Sequence, residues 1–251
     1  MNKSWLFLFT LLIPYLTSCA QVEVSLSGDN AAIVDVPPYR FNPEDVLAAT
    51  PLCPFTSLAS YKQNTGVWCW AASAQMVINY LGNPISQCYI ASITLQHTIP
   101  SDPPGCCMAE DSFVPDPNPP DPPGKILYDQ WVEDARTKCL VRYSPLEALR
   151  KNGYTADTSG PLGWEDLTGQ LCGQQKPYVS VVRFYDDNGS LAGAHSSVVG
   201  GGRVTPNGDK YVEVSDHSED DFFLMKWEAF KTGVPGDFVH AYDYINIKQL
   251  P

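Results

Sequence analysis

The run Trp68-Cys69-Trp70-Ala71-Ala72-Ser73-Ala74, followed by Met76, Val77, Tyr80 and Leu81, constrains this chain more than any other stretch. Its apolar residues recur at helical spacing and Gly82 stands where a C-cap is needed, so it reads as a core helix that opens at Cys69 and ends in a turn. A thiol is an effective nucleophile only as thiolate. The start of a helix favours that anion through its partial positive charge and its backbone N–H groups. Gln63, six residues before Cys69, falls in the preceding loop, where its amide can donate to an oxyanion alongside the Cys69 N–H. The plainer alternative is that Cys69 is half of a disulfide or a buried apolar thiol.

A nucleophilic cysteine needs a base that meets it in space, and such a segment lies far downstream: Gly193-Ala194-His195-Ser196-Ser197-Val198-Val199-Gly200-Gly201-Gly202. Small residues beside His195 leave room for a substrate backbone, which makes it the favoured base. The other histidines have different settings: His97 in a polar loop approach, His217 in an acidic run, and His240 in the strand-like Phe238-Val239-His240-Ala241-Tyr242. The strand-like Lys210-Tyr211-Val212-Glu213-Val214 leads into Ser215 and Asp216. An acid there can accept the second imidazole N–H and fix the tautomer. Asp216 can also be read as an ordinary strand-end turn residue, with Asp209, Asp220 and Asp221 nearby.

Residues 21–50 include Pro37-Pro38 and have no sustained period, as in a tether or short pro-like segment. The stretch from 52 to 153 is expected to be mostly helical. Within it, Asp102-Pro103-Pro104-Gly105 and residues 114–124, with six prolines, exclude regular helix and central strand and read as a solvated insertion. Ser144-Pro145-Leu146-Glu147 is a capping box with proline at the first helical position, opening a helix that Gly153 stops. A short helix is predicted over 164–172. Strands are predicted over 178–184, 196–199, 211–214 and 238–245, separated by the turns Asp187-Asn188-Gly189 and Pro206-Asn207-Gly208-Asp209. Cys69 on a helix of one lobe then faces His195 on a strand of the other, across a cleft suited to an extended peptide.

The amino terminus carries Lys3, an apolar core over 5–15 too short to span a bilayer, and then Leu16-Thr17-Ser18-Cys19. This resembles the lipobox of bacterial lipoproteins, in which the signal peptide is cut before the cysteine and that thiol is diacylated. An ordinary signal peptide cut near Cys19-Ala20 is the alternative. Either way the domain is exported, and the lipobox reading places it in the bacterial cell envelope, held to the membrane by the lipid on Cys19. Loss of residues 1–18 shifts the formal net charge from −12 to −13 and leaves 233 residues, enough for one domain with a tether. So few Lys and Arg argue against a nucleic-acid partner.

Gln63, the Cys69-Trp70-Ala71-Ala72-Ser73-Ala74 run, His195 and Asp216 resemble, in that order, the Gln, Cys, His and Asn/Asp of papain-like cysteine proteases. Gln87-Cys88 followed by Cys106-Cys107 is similar to the bacterial papain-like group that includes the avirulence effector proteases of plant pathogens. The resemblance covers residues 54–246 and is most specific over 63–107. It departs at Asp216-His217, where plant and animal papains have Asn followed by a small residue and Trp, and in the proline-rich insertion. It implies an α+β, two-lobed papain-like fold over residues 52–251, behind a signal peptide (1–18) and a tether (19–51). The first lobe is helical, the second antiparallel β, and the active site lies between them. The implied activity is that of a monomeric, lipid-anchored cysteine endopeptidase acting on a peptide or protein, with Cys69, His195, Asp216 and Gln63 catalytic and no cofactor. A transglutaminase-like acyl transferase using the same triad is one alternative; a nonenzymatic surface-binding lipoprotein is the other.

With Cys19 assigned to lipid and Cys69 to chemistry, Cys53, Cys88, Cys106, Cys107, Cys139 and Cys172 remain to form three disulfides. Cys106 and Cys107 should have different partners, since adjacent residues bridge only with strain. No C-x-x-C pair or His-rich spacing points to zinc, and no metal is expected.

Overall fold

A computed structural model of the chain describes residues 40–41, 50–53, 58–97, 105–110, 124–186, 188–217, 221–234 and 238–251. The signal peptide, Cys19, most of the 19–51 segment and residues 111–123 of the proline-rich insertion lie outside the described residues. In chain order the elements are β1 (Arg40–Phe41), β2 (Thr50–Pro51), α1 (Cys69–Tyr80), α2 (Gln87–Leu95), a 3-10 turn (Gly105–Ala109), α3 (Gly124–Cys139) and α4 (Pro145–Lys151). There follow β3 (Tyr154–Ser159), α5 (Trp164–Thr168), β4 (Tyr178–Tyr185), β5 (Leu191–Val204), β6 (Lys210–Asp216), β7 (Asp221–Lys226), α6 (Trp227–Thr232) and β8 (Val239–Gln249). The longer helices come first and the sheet after them, so the fold is α+β.

Helix α1 starts at Cys69 and is buried on nearly every side, as an all-round apolar helix must be. It stops where Gly82 takes φ +91°, a left-handed conformation that glycine adopts without steric cost. Helix α4 begins as its sequence requires, with Ser144 Oγ accepting the Glu147 N–H at 3.4 Å and Pro145 in the first turn. The disulfides Cys88–Cys107 and Cys106–Cys139 fasten α2 and the end of α3 to the 3-10 turn, and give the two adjacent cysteines separate partners. A third, Cys53–Cys172, closes a span of 119 residues.

The strands form one antiparallel sheet in the order β1-β7-β6-β5-β4-β8-β3, with β2 also pairing with β5. Side chains alternate between its faces. Val179, Val181, Ala194, Val198 and Tyr244 join α1 in one apolar cluster; Tyr178, Val199, Val212, Val214 and Met225 join Trp227, Phe230 and Phe238 in another. With both faces covered, β4, β6 and β8 read as apolar runs and lie close to their expected positions. Strand β5 extends well beyond the predicted 196–199, through a bulge between Val199 and Gly201 in its pairing with β6. Strands β3 and β7 and helix α6 were not expected from the sequence, whereas α2 and α3 fall in the stretch expected to be mostly helical.

Candidate active site

Cys69 is the first residue of α1 and is 1% exposed. That position is the one at which a helix favours a thiolate, through its partial positive charge and its backbone N–H groups.

Gln63 lies in the loop before α1, as expected, and the backbone around it is tied down on three atoms. Its own N–H donates to the His217 carbonyl at 2.8 Å. The buried carboxamide of Gln87, at the start of α2, accepts from the Asn64 N–H at 2.9 Å and donates to the Lys62 carbonyl at 2.6 Å. Asn64 Nδ2 in turn donates to Glu110 Oε1. Burial raises the Glu110 carboxyl above the usual range, and the bond from Asn64 pulls it part of the way back.

Alternation along β5 sends Ala194, Ser196 and Val198 toward α1, and His195 and Ser197 to the opposite face. Ser196 Oγ is hydrogen-bonded to Ser73 Oγ at 3.1 Å, one turn along α1 from Cys69. On its own face, His195 lines a cavity of about 90 Å3 together with Ser180, Ser197, Phe184, Phe230 and Phe238. Its ring lies 5.8 Å from that of His217. His195 thus approaches the His217 ring from the cavity side of the strand.

His217 is not a solvated member of an acidic run; it is fully buried. Nδ1 faces the Tyr61 carbonyl at 3.2 Å, which can only accept, so Nδ1 carries a proton, and Nε2 is hydrogen-bonded to the Ser73 hydroxyl at 2.9 Å. Asp216 closes β6 with its backbone paired to Asp221 in β7; its side chain lies outside those described. Next to it, the Val198 N–H donates to Ser215 Oγ at 2.7 Å. The chain thus turns from β6 toward residues 61–63. Gln63, the start of α1, His195 and the end of β6 are thereby joined through Ser73, Ser196 and His217.

Of these joining residues, Ser73 and Gln87 carry a partial signal in the sequence, as polar residues within apolar helical segments. His240 belongs to a separate buried group: Nδ1 faces the Phe230 carbonyl at 3.0 Å, and Nε2 lies 2.9 Å from Asp243 Oδ1 and 3.0 Å from Ser180 Oγ. Asp243 Oδ2 also accepts the Leu162 N–H at 3.0 Å, so the group pins β4, β8, α6 and the residues before α5 to one another.

The sequence matches no protein-family profile, and no curated protein matches it. Among solved structures, the chain is similar to the peptidase domain of Streptococcus ComA, a bi-functional ABC transporter involved in a quorum sensing pathway, at 12% identity and a TM-score of 0.37 over 77% of this chain and 98% of that one. It is similar to procathepsin B from Trypanosoma congolense at 15% identity and a TM-score of 0.41, over 94% of this chain and 86% of that one. It is also similar to a cysteine protease that is a major ragweed pollen allergen, in its proform, at 13% identity and a TM-score of 0.37, over 87% of this chain and 67% of that one. Superpositions this loose assign no role to any residue of this chain.

Proposed function

We propose that this chain is an exported, lipid-anchored cysteine endopeptidase of the papain-like kind, acting through Cys69, His195 and Asp216 with Gln63 as oxyanion donor. The observation that carries the reading is the meeting of Gln63, the start of α1 and the neighbours of His195 around Ser73 and His217. Cys69 as thiolate adds to the scissile carbonyl carbon. The tetrahedral oxyanion is held by the Gln63 amide and the Cys69 N–H, and His195 protonates the leaving amine as the C–N bond breaks. Water then attacks the thioester, giving up a proton to His195, and the acid product leaves with the thiol restored.

The deciding experiment is labelling with a thiol-directed epoxide inhibitor of papain-like enzymes, with the modified residue mapped by mass spectrometry. Modification at Cys69 together with release of free amino termini from casein supports hydrolysis. No labelling at Cys69 removes the enzyme reading. The anchor is tested by detergent phase partitioning: Cys19→Ala should move the protein to the aqueous phase.

A further inference from the structure

The loop from Gln63 to Cys69 carries both groups of the proposed oxyanion hole, the Gln63 amide and the Cys69 N–H, so their relative placement is set by whatever holds that loop. Near its start, Asn64 has donors taken by two different elements. Its backbone N–H goes to Gln87 Oε1 at the start of α2, at 2.9 Å, and its Nδ2 goes to Glu110 Oε1 just past the 3-10 turn. Near its end, the indole N–H of Trp68, the residue before Cys69, donates to the Cys139 carbonyl at the close of α3, at 2.8 Å. Between the two, the Trp68 backbone N–H returns to the carbonyl of buried Thr65 at 3.2 Å.

The acceptors belong to one covalently braced frame. Gln87 adjoins Cys88, which is bridged to Cys107; Cys106 is bridged to Cys139, whose own carbonyl takes Trp68. Glu110 follows Cys107 by three residues, and its N–H donates to the Cys107 carbonyl at 3.5 Å. Among the described residues no Lys, Arg or His pairs with Glu110. A half-buried carboxyl without a cation is a cost to the fold: burial raises it, and the bond from Asn64 offsets part of that. Costs of this kind concentrate where a group has work to do beyond stability.

We propose that Glu110 is a positioning residue for the oxyanion hole, fixing the Gln63 amide relative to the Cys69 N–H through Asn64, with the Cys88–Cys107 bridge holding it in place. This rests on the peptidase reading, because the placement of Gln63 matters to catalysis only if a scissile carbonyl develops charge there. Glu110 itself touches neither the substrate nor the thiol, and its loss should be felt in the transition state and not in binding.

The test is to measure kcat and KM on dye-labelled casein for the full-length chain, Glu110→Ala, Glu110→Gln, Gln63→Ala and the double variant Gln63→Ala with Glu110→Ala. Glu110→Ala should lower kcat by about tenfold or more with KM nearly unchanged, and Glu110→Gln, which still accepts from Asn64 Nδ2, should recover most of it. On the Gln63→Ala background the same substitution should cost less than about twofold, since an absent donor cannot be misplaced. Epoxide labelling of Cys69 builds no carbonyl oxyanion, so Glu110→Ala should label at the parent rate. Parent kcat in Glu110→Ala, or a full loss repeated on the Gln63→Ala background, overturns the role of Glu110 and leaves the peptidase reading intact. Loss of labelling along with turnover in Glu110→Ala shows a damaged fold and overturns that role too. No hydrolysis by the parent overturns both.

Discussion

The carboxamide of Gln87 bonds on both sides of Gln63, accepting from the Asn64 N–H and donating to the Lys62 carbonyl. A side chain from the start of one helix thus sets the backbone that presents the candidate oxyanion donor. Preorganisation of this sort matters most where the donor must meet a charge that exists only transiently.

Gln87→Ala should therefore lower kcat by roughly ten- to a hundredfold, with KM changed little, and should cost about 2 kcal/mol of stability through two lost buried hydrogen bonds. Gln63→Ala should lower kcat at least as far while leaving the melting temperature nearly unchanged. Steady-state kinetics and thermal melts on the same samples check both. A Gln87→Ala variant that melts early but turns over at the parent rate would show that the clamp serves the fold alone.

Cys69→Ala should hydrolyse no peptide and take up no epoxide inhibitor, with the helix intact, since alanine suits a helix start. Hydrolysis by Cys69→Ala above background would refute the mechanism.

His195 and His217 should separate by what their loss does. His217→Ala removes a fully buried ring bonded to Ser73 and Tyr61, at a cost of about 3 kcal/mol, or roughly 10 °C in Tm for a chain of this size. His195→Ala should abolish turnover with a much smaller change in Tm. The opposite pattern, with turnover lost only in a well-folded His217→Ala, moves the base to His217.

Glu110 gives a pH signature. Burial raises its carboxyl in the folded state, so the folded chain holds this proton more tightly than the unfolded chain does. The resulting stability is present at low pH and is lost as pH rises through the raised value. Glu110→Gln keeps an acceptor for Asn64 Nδ2 and removes the titration, so its Tm advantage over the parent should grow between about pH 4 and about pH 7. The side chain is only half buried, and solvent keeps the gain small. An advantage that stays flat or shrinks with pH would mean that Glu110 is not held above its ordinary range.

Much of this architecture is legible in the amino-acid sequence, for identifiable reasons. Helices α1 and α4 are legible because apolar periodicity coincides with punctuation: Gly82 and Gly153, both at positive φ, and the Ser144-Pro145 start. Strands β4, β6 and β8 are legible because they are covered on both faces. Strand β3 is not: Tyr-Thr-Ala-Asp-Thr-Ser has little apolar content, and its conformation is set by pairing with β8 at the sheet edge. Helix α3 opens at a glycine that ends a proline run, which hides its start. In the site, Gln63, Cys69 and His195 stand out by residue type and order. The burial of His217 does not, because its partners Ser73 and Tyr61 are 144 and 156 residues away in sequence.

The bonds from Ser73 to Ser196 and His217 also bear on how a substrate enters. They lie in the buried seam between α1 and the sheet, so parting the lobes there would strand polar groups away from water. Such a seam does not open and close with each turnover. In the proposed peptidase the site would therefore be formed before the peptide arrives, and the approach to steady state should be a single step without a lag.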